Sequence, residues 1–400
     1  MTHDARIYLD NAATSFPKPP QVHEAMLRFT THIGASPGRG AYRESREASR
    51  LLMQCRQRIV QLINGERPEN VIFALNATDA LNLAIRGVLE AAGQPAHAVT
   101  TYMDHNSVLR PLHALMERTA LHVSHVRCDP ATGLVDPNDI RKVITPDTKL
   151  VAVAHGSNVC GTLQPIRRIG AICRERDIVF LVDGAQTVGH VPVDVQSDLI
   201  DLLAFPGHKG LLGPLGTGGL YIRPGIETRM VTVREGGTGS ASELDRQPQF
   251  MPDRFEPGSH NAVGIVGLSA AVKWILDQGV THLWAHEREL MSAMLDGLSE
   301  LVDVHRLALQ GPAGLENRCG VFCVRMEGFD DPRDLSNRLE RRHGILTRPG
   351  LHCAPLAHKT LGTYDTGGGT RLSVGPFIRT HDVRVACDAL AQIACPTVMA

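Results

Sequence analysis

The stretch "KLVAVAHGSNVCGTLQPIRRIGAICRERDIVFLVD" spans residues 149–183 and reads as strand, helix, strand. "KLVAVAH" (149–155) and "DIVFLVD" (177–183) are short, nearly continuous apolar runs of the kind buried on both faces. "IRRIGAICRERD" (166–177) between them is amphipathic with helical spacing. The same grammar extends outward. "NVIFAL" (70–75), "HAVTTY" (97–102) and "DLLAFP" (201–206) are further strand candidates, and "DALNLAIRGVLEAA" (79–92) is a helix candidate. Alternating strands and helices predict an α/β fold, a mostly parallel sheet with helices on both faces. Ligands of such sheets bind at the carboxyl ends of the strands.

The residues just past those ends are rich in chemistry. Thr78 follows the first strand in "NATDA", where it is a plausible N-cap with Asp79 in the first turn, and a free helix N-terminus suits a phosphate. His105 follows the second strand and Asn158 the third. Asp183 closes the fourth and is followed by Gln186. The fifth leads into "GHKG", with His208 and Lys209. Each alone has an ordinary reading as a cap, a turn or a satisfied loop residue. Together they bring an acid, a lysine, imidazoles and two amides to one crevice. Pyridoxal 5′-phosphate (PLP) asks for that set: a lysine for its aldehyde, a carboxylate for its ring nitrogen, a phosphate cradle and a flat partner for the ring.

Composition sets the frame. At 400 residues the chain is long for one core, which predicts two domains. Apolar residues make up 43% and charged residues 21%, an ordinary globular balance. The net charge of -1 gives no global pull toward nucleic acid or anionic membrane. Aromatic residues, at 4%, are too few for a base-stacking platform. No run approaches the ~18 apolar residues of a membrane span, and no apolar secretory core stands in the first 30 residues. Nine cysteines without a repeating framework predict reduced thiols and a cytoplasmic setting. No cysteine spacing matches a zinc site, so no metal is expected; Cys319 and Cys323 in "RCGVFCV" suit a strand.

Several motifs in order, "YLDNAAT" (8–14), "GSNVCGT" (156–162), "VDGAQ" (182–186), "GHKG" (207–210), "FEPGSHN" (255–261) and "RPGLHCAP" (348–355), run over nearly the whole chain. On these the chain resembles the class V aminotransferase family, and within it the cysteine desulfurases. The resemblance implies the PLP-dependent transferase fold type I: a large domain over 13–275 with a seven-stranded-type sheet, and a smaller α+β domain over 276–400. The segment 1–12 would join them. It implies PLP on Lys209, which also moves the substrate's Cα proton, with Asp183 at the pyridine nitrogen. His105 would lie on the ring, with Asn158 and Gln186 around its hydroxyl. Ala77, Thr78 and His208 would hold the phosphate, with Ser259 from the partner subunit of a homodimer. Arg371 would bind the substrate carboxylate, assisted by Arg348 and Asn158.

Cys353 lies in "LTRPGLHCAPLA" (346–357), an arginine-, glycine- and proline-bracketed stretch that predicts a loop. By the resemblance it is the nucleophile that takes sulfur from L-cysteine as a persulfide, for onward delivery to a sulfur-acceptor protein. Nucleophilic cysteines need access and a lowered pKa, for which Arg348 and His352 are the nearby candidates. The alternatives are a selenocysteine or other C–S lyase, another class V aminotransferase, or a non-catalytic partner with a PLP fold. One departure stands out: Pro206 occupies a position where the family usually has Ser or Thr for the cofactor phosphate, and proline offers neither a hydroxyl nor an N–H. The short span from Cys353 to Arg371 resembles the desulfurases with a short cysteine loop.

Overall fold

The computed structural model describes residues 6–38 and 40–395. Thus residues 1–5 of the expected joining segment and 396–400 at the far end lie outside the described residues. The strands in chain order are β1 (Ile7–Tyr8), β2 (Val71–Ala74), β3 (Ala96–Thr101), β4 (Leu121–Val126), β5 (Thr148–Ala154), β6 (Val179–Asp183), β7 (Leu202–Pro206), β8 (Gly218–Ile222), β9 (Leu307–Gln310), β10 (Val321–Met326), β11 (Ile345–Leu346), β12 (Arg348–Gly350) and β13 (Gly369–Ser373). Seven of them form one sheet in the order β2-β8-β7-β6-β5-β3-β4. The pairs from β7 through β6, β5 and β3 to β4 are parallel, and β8 runs antiparallel between β7 and β2. Every residue of β6 and β7 is buried, and all but Lys149 of β5. That explains the unbroken apolar runs, since helices cover both faces.

Helix Ile166–Glu175 joins β5 to β6 and buries Ile166, Ile169, Gly170, Ile172 and Cys173 as one stripe. Gly170 is needed there, because a Cβ would stand 2.5 Å from the Asp198 carbonyl oxygen. Helices Ala77–Ala91 and Asn106–Met116 follow β2 and β3 and start at the carboxyl edge of the sheet. One sequence expectation is corrected here. Thr78 is not the N-cap of its helix but its second residue; Asn76 caps it, its side chain accepting from the Asp79 amide.

A second, antiparallel sheet has the order β12-β13-β10-β9. Its apolar side packs into a core of its own with helices Val280–Asp303, Pro332–His343 and Thr380–Ala394. β1 pairs with β11, and Asp10 bridges to Ser373, so the early chain is stitched to this later part. No single helix among the described residues is long and apolar enough to cross a membrane.

Candidate active site

A cavity of about 210 Å³ opens at the carboxyl ends of β5, β6 and β7. It brings together Ala77, Thr78, His105, Asn158, Asp183, Gln186, His208 and Lys209, eight of the residues singled out in the sequence. Asp183 is the last residue of β6 and lies buried on the floor. Burial pushes its carboxyl up to about 6, against the Ala185 amide, which donates to Oδ1 at 2.9 Å, and the charge of Lys209. Lys209 stands three residues past β7, half-buried. Burial pulls its amine down to about 8, partly offset by Asp183; Arg371 and Arg348 push the same way as burial.

The loop carrying Lys209 is held from the other side. The Ser15 amide (3.0 Å), the Ser15 and Thr14 hydroxyls (each 3.1 Å) and Lys18 Nζ (2.8 Å) all donate to the His208 carbonyl. The "YLDNAAT" segment, with Ser15 and Lys18 just past it, therefore braces the backbone beside Lys209. It also supplies the Ala12 carbonyl that accepts from Gln186 Nε2 at 3.0 Å.

His105 is the N-cap of helix Asn106–Met116. Its Nδ1 accepts from the Ser107 amide at 3.0 Å and lies 2.9 Å from the Ser107 hydroxyl. Burial, Lys209 and Arg348 push the imidazole down to about 3, so the ring is neutral. Thr78 and Ser107 place their hydroxyls 2.7 Å apart at the cavity wall. Ser107 was not singled out in the sequence. Its signal was present, since Ser107 follows the strand candidate 97–102 as Thr78 follows 70–75, where a helix start suits an anion.

The remaining candidates lie at the rim or elsewhere. Arg371, on β13, is fully buried beside Asn158, whose carbonyl accepts from Nη1 at 2.9 Å. Its Nη2 pairs with Asp10 at 2.8 Å, and its Nε has no partner among the described residues. Asp10 is a second residue the sequence reading missed, although it lies in a quoted motif. Cys353 is exposed, and Arg348 Nη2 is 3.9 Å from its sulfur. The loop is tied to the cavity at two points: Asn158 Nδ2 donates to the His352 carbonyl (2.6 Å), and the Asn106 amide donates to the Cys353 carbonyl (2.9 Å). His352 cannot be the cation expected beside the thiol. Burial and Arg371, outweighing the hydrogen bond to the Arg348 carbonyl, drive it well below the usual histidine range, and both ring nitrogens are engaged elsewhere. Ser259 is exposed and lines a different cleft, with Asp79 and Arg234, rather than the cavity of its own chain.

The family model of class V aminotransferases matches residues 7–385. This chain belongs to the class V aminotransferase family. A probable cysteine desulfurase of Methanothermobacter thermautotrophicus is 32% identical over 391 residues, covering 97% of this chain and 94% of the relative. A cysteine desulfurase of Escherichia coli O157:H7 is 33% identical over 383 residues, covering 94% and 90%. Among solved structures, the apo cysteine desulfurase of Thermococcus onnurineus NA1 superposes with a TM-score of 0.90 at 31% identity, covering 97% of this chain and 94% of that one. The cysteine desulfurase CsdA of E. coli, solved as an S-sulfonic acid, gives 0.86 at 26%, covering 98% and 95%. The fold is thus the type I fold of PLP-dependent transferases, as the resemblance implied, and this family is generally PLP-dependent.

The cavity fits that cofactor. His208 Nδ1 is buried without a partner among the described residues. The first-turn amides of Ala77 and Thr78 have no intrahelical acceptor. With the Thr78 and Ser107 hydroxyls these donors gather on one side, as a phosphate requires. Asp183 on the floor suits a protonated pyridine nitrogen, and Lys209 suits an aldehyde. Among the described residues no group of three or more His, Cys, Asp or Glu side chains is arranged to hold a metal ion.

Proposed function

We propose that this chain is a PLP-dependent cysteine desulfurase, converting L-cysteine to L-alanine and taking the sulfur onto Cys353 as a persulfide. The observation that carries the reading is the exposed Cys353 thiol, beside the Arg348 guanidinium, on a loop hydrogen-bonded to the cavity residue Asn158. The names of the relatives support it.

Bound in the cavity, PLP would supply an electron sink for charge developing at the substrate's Cα and Cβ. Ala77, Thr78 and His208 would hold its phosphate, Asp183 would keep its ring nitrogen protonated, and the neutral His105 would pack against its ring. Asn158 and Gln186 would hydrogen-bond its polar edge. Arg371 meets the substrate carboxylate, its guanidinium held in place by Asp10 and the Asn158 carbonyl, with Arg348 assisting. Lys209 Nζ takes the proton from Cα; with its amine near 8, a useful fraction is unprotonated at neutral pH. Cys353 Sγ then attacks the substrate sulfur. An S–S bond forms and the Cβ–S bond breaks. Its electron pair stays with Cβ, which a proton converts to a methyl group, and Lys209 Nζ returns a proton to Cα to complete alanine.

We also read the protein as a homodimer in which Ser259 reaches the partner's phosphate site, since it is exposed and lines a separate cleft rather than the active-site cavity of its own chain. All nine cysteines are unpaired, which fits a reducing compartment such as the cytoplasm. A cysteine on a short loop needs an acceptor that comes to it, and a sulfur-acceptor protein is the expected partner. Incubating the PLP-loaded protein with L-cysteine tests the reading. Alanine should accumulate, faster when a thiol reductant is added. Free sulfide produced at the same rate without any protein-bound sulfur would instead make the protein a C–S lyase.

A further inference from the structure

His352 and Cys353 are consecutive non-glycine residues in the left-handed region, with φ of 50° and 57°. Such backbone persists only where its surroundings over-determine it. The carbonyls of both residues are held by Asn158 and the Asn106 amide, and the Ala354 amide closes the turn onto Leu351 O at 2.9 Å. The His352 ring is held by something none of the steps above uses. Its Nε2 lies 2.9 Å from the Arg348 carbonyl, its Nδ1 lies 3.2 Å from His358 Nε2, and His358 Nδ1 lies 2.7 Å from the Thr363 hydroxyl.

This chain has one direction. A carbonyl only accepts, so His352 Nε2 carries hydrogen and Nδ1 is a lone pair. His358 must then donate from Nε2 and accept at Nδ1, which leaves the Thr363 O–H to donate. Both rings are buried, His358 completely. Burial pulls His358 down to about 4 and His352 well below the ordinary range, so both stay neutral and the alternation holds. The chain ties three segments together: the start of β12 at Arg348, helix Pro355–Thr360 carrying His358, and the loop at Thr363. That loop returns so closely that a Cβ on Gly368 would stand 2.1 Å from the Gly350 carbonyl oxygen.

We propose that His358 is a positioning residue for the nucleophile: the buried chain Thr363–His358–His352 locks the 351–354 turn in the conformation that presents Cys353 to the cavity. The inference rests on the desulfurase reading for what Cys353 does, but not for how the turn is held. Glutamine can reproduce the accept-and-donate pair and leucine cannot, so the test compares His358→Leu with His358→Gln. In PLP-loaded protein, His358→Leu should lower kcat for alanine by about tenfold or more, because a shift near 1 Å at a reacting atom can cost on the order of 100-fold. KM for cysteine and the cofactor's absorption should stay unchanged, and His358→Gln should recover most of the rate. Independently of activity, hydrogen exchange at the Asn106 amide should speed up in His358→Leu and return toward the wild-type rate in His358→Gln.

Wild-type Asn106 exchange in His358→Leu, or a glutamine variant no better than leucine, overturns the inference. So does a loss of cofactor binding in step with kcat, which marks a merely structural residue. A wild-type protein that makes no alanine removes the desulfurase reading instead, and the exchange rates still decide whether His358 holds the turn.

Discussion

Lys209 and Asp183 have proton affinities pushed toward each other by burial, the amine down to about 8 and the acid up to about 6. The sign of the amine's shift makes a prediction. Only the unprotonated amine attacks an aldehyde, and a lowered pKa means it is available above about 8 rather than above the ordinary lysine value of 10.5. Uptake of PLP by the unloaded protein, followed by absorbance, should therefore rise with pH and level off just above 8. A rate still climbing at pH 10 would show an amine no different from a surface lysine. The identities of these two residues were legible in the sequence because Asp183 closes a strand and Lys209 follows one closely, at the carboxyl ends where topology dictates the crevice. Asp10 was not legible. Its partner Arg371 is 361 positions away, and no local spacing reports such a pair. Nor was the neutrality of His352, which comes from burial beneath a loop that composition alone marks as exposed.

Two helix N-termini, those of Ala77–Ala91 and Asn106–Met116, meet at one wall of the cavity, and their hydroxyls bear on the question raised by Pro206. Pro206 ends β7 opposite Gly218, and Thr78 and Ser107 already offer a pair of hydroxyls nearby. Ser107→Ala should weaken PLP binding by about 0.5–1.5 kcal/mol, the net worth of one hydrogen bond, and Pro206→Ser should gain less than that. Spectroscopic titration with PLP measures both. A large gain from Pro206→Ser with no loss from Ser107→Ala would mean the phosphate sits away from this wall. At this scale five buried strands of the large sheet were legible in the sequence, and its other two were not. β4 reads "LHVSHV", an edge strand with exposed polar positions and no continuous apolar run. β8 begins with Gly218 and Gly219, which read as a turn. Both glycines are required, since a Cβ on Gly218 would lie 2.8 Å from Phe205 O, and one on Gly219 would lie 2.7 Å from the Phe205 ring. The helix cap was misread by two residues because Asn76 and Thr78 are both good caps and only geometry separates them.

Across the whole molecule, the loop bearing Ser259 is anchored by a buried ion pair. Arg56 grips Glu256 with two hydrogen bonds of 2.8 and 2.6 Å, and His260 Nε2 stands 2.9 Å from the same carboxylate. Burial alone would push Glu256 up, but Arg56 and His260 outweigh it and hold the carboxyl down at about 2. A depressed carboxyl stabilises the fold above its ordinary value of 4.5 and loses that contribution as pH falls toward 2. Thermal unfolding should show that acid loss blunted in Glu256→Gln. The same variant should be less stable at neutral pH, by ~3–5 kcal/mol for a buried guanidinium left unpaired. An unchanged melting temperature would mean that Arg56 finds another partner. The central claim concerns the reaction itself, and the position of a single added sulfur tests it most directly. After brief exposure of the PLP-loaded wild type to L-cysteine, mass spectrometry should find one extra sulfur on the peptide holding Cys353. Cys353→Ser should keep its colour and its spectral response to cysteine while losing alanine formation by orders of magnitude. Sulfur mapped to another cysteine, or alanine made by Cys353→Ser at the wild-type rate, would contradict the account.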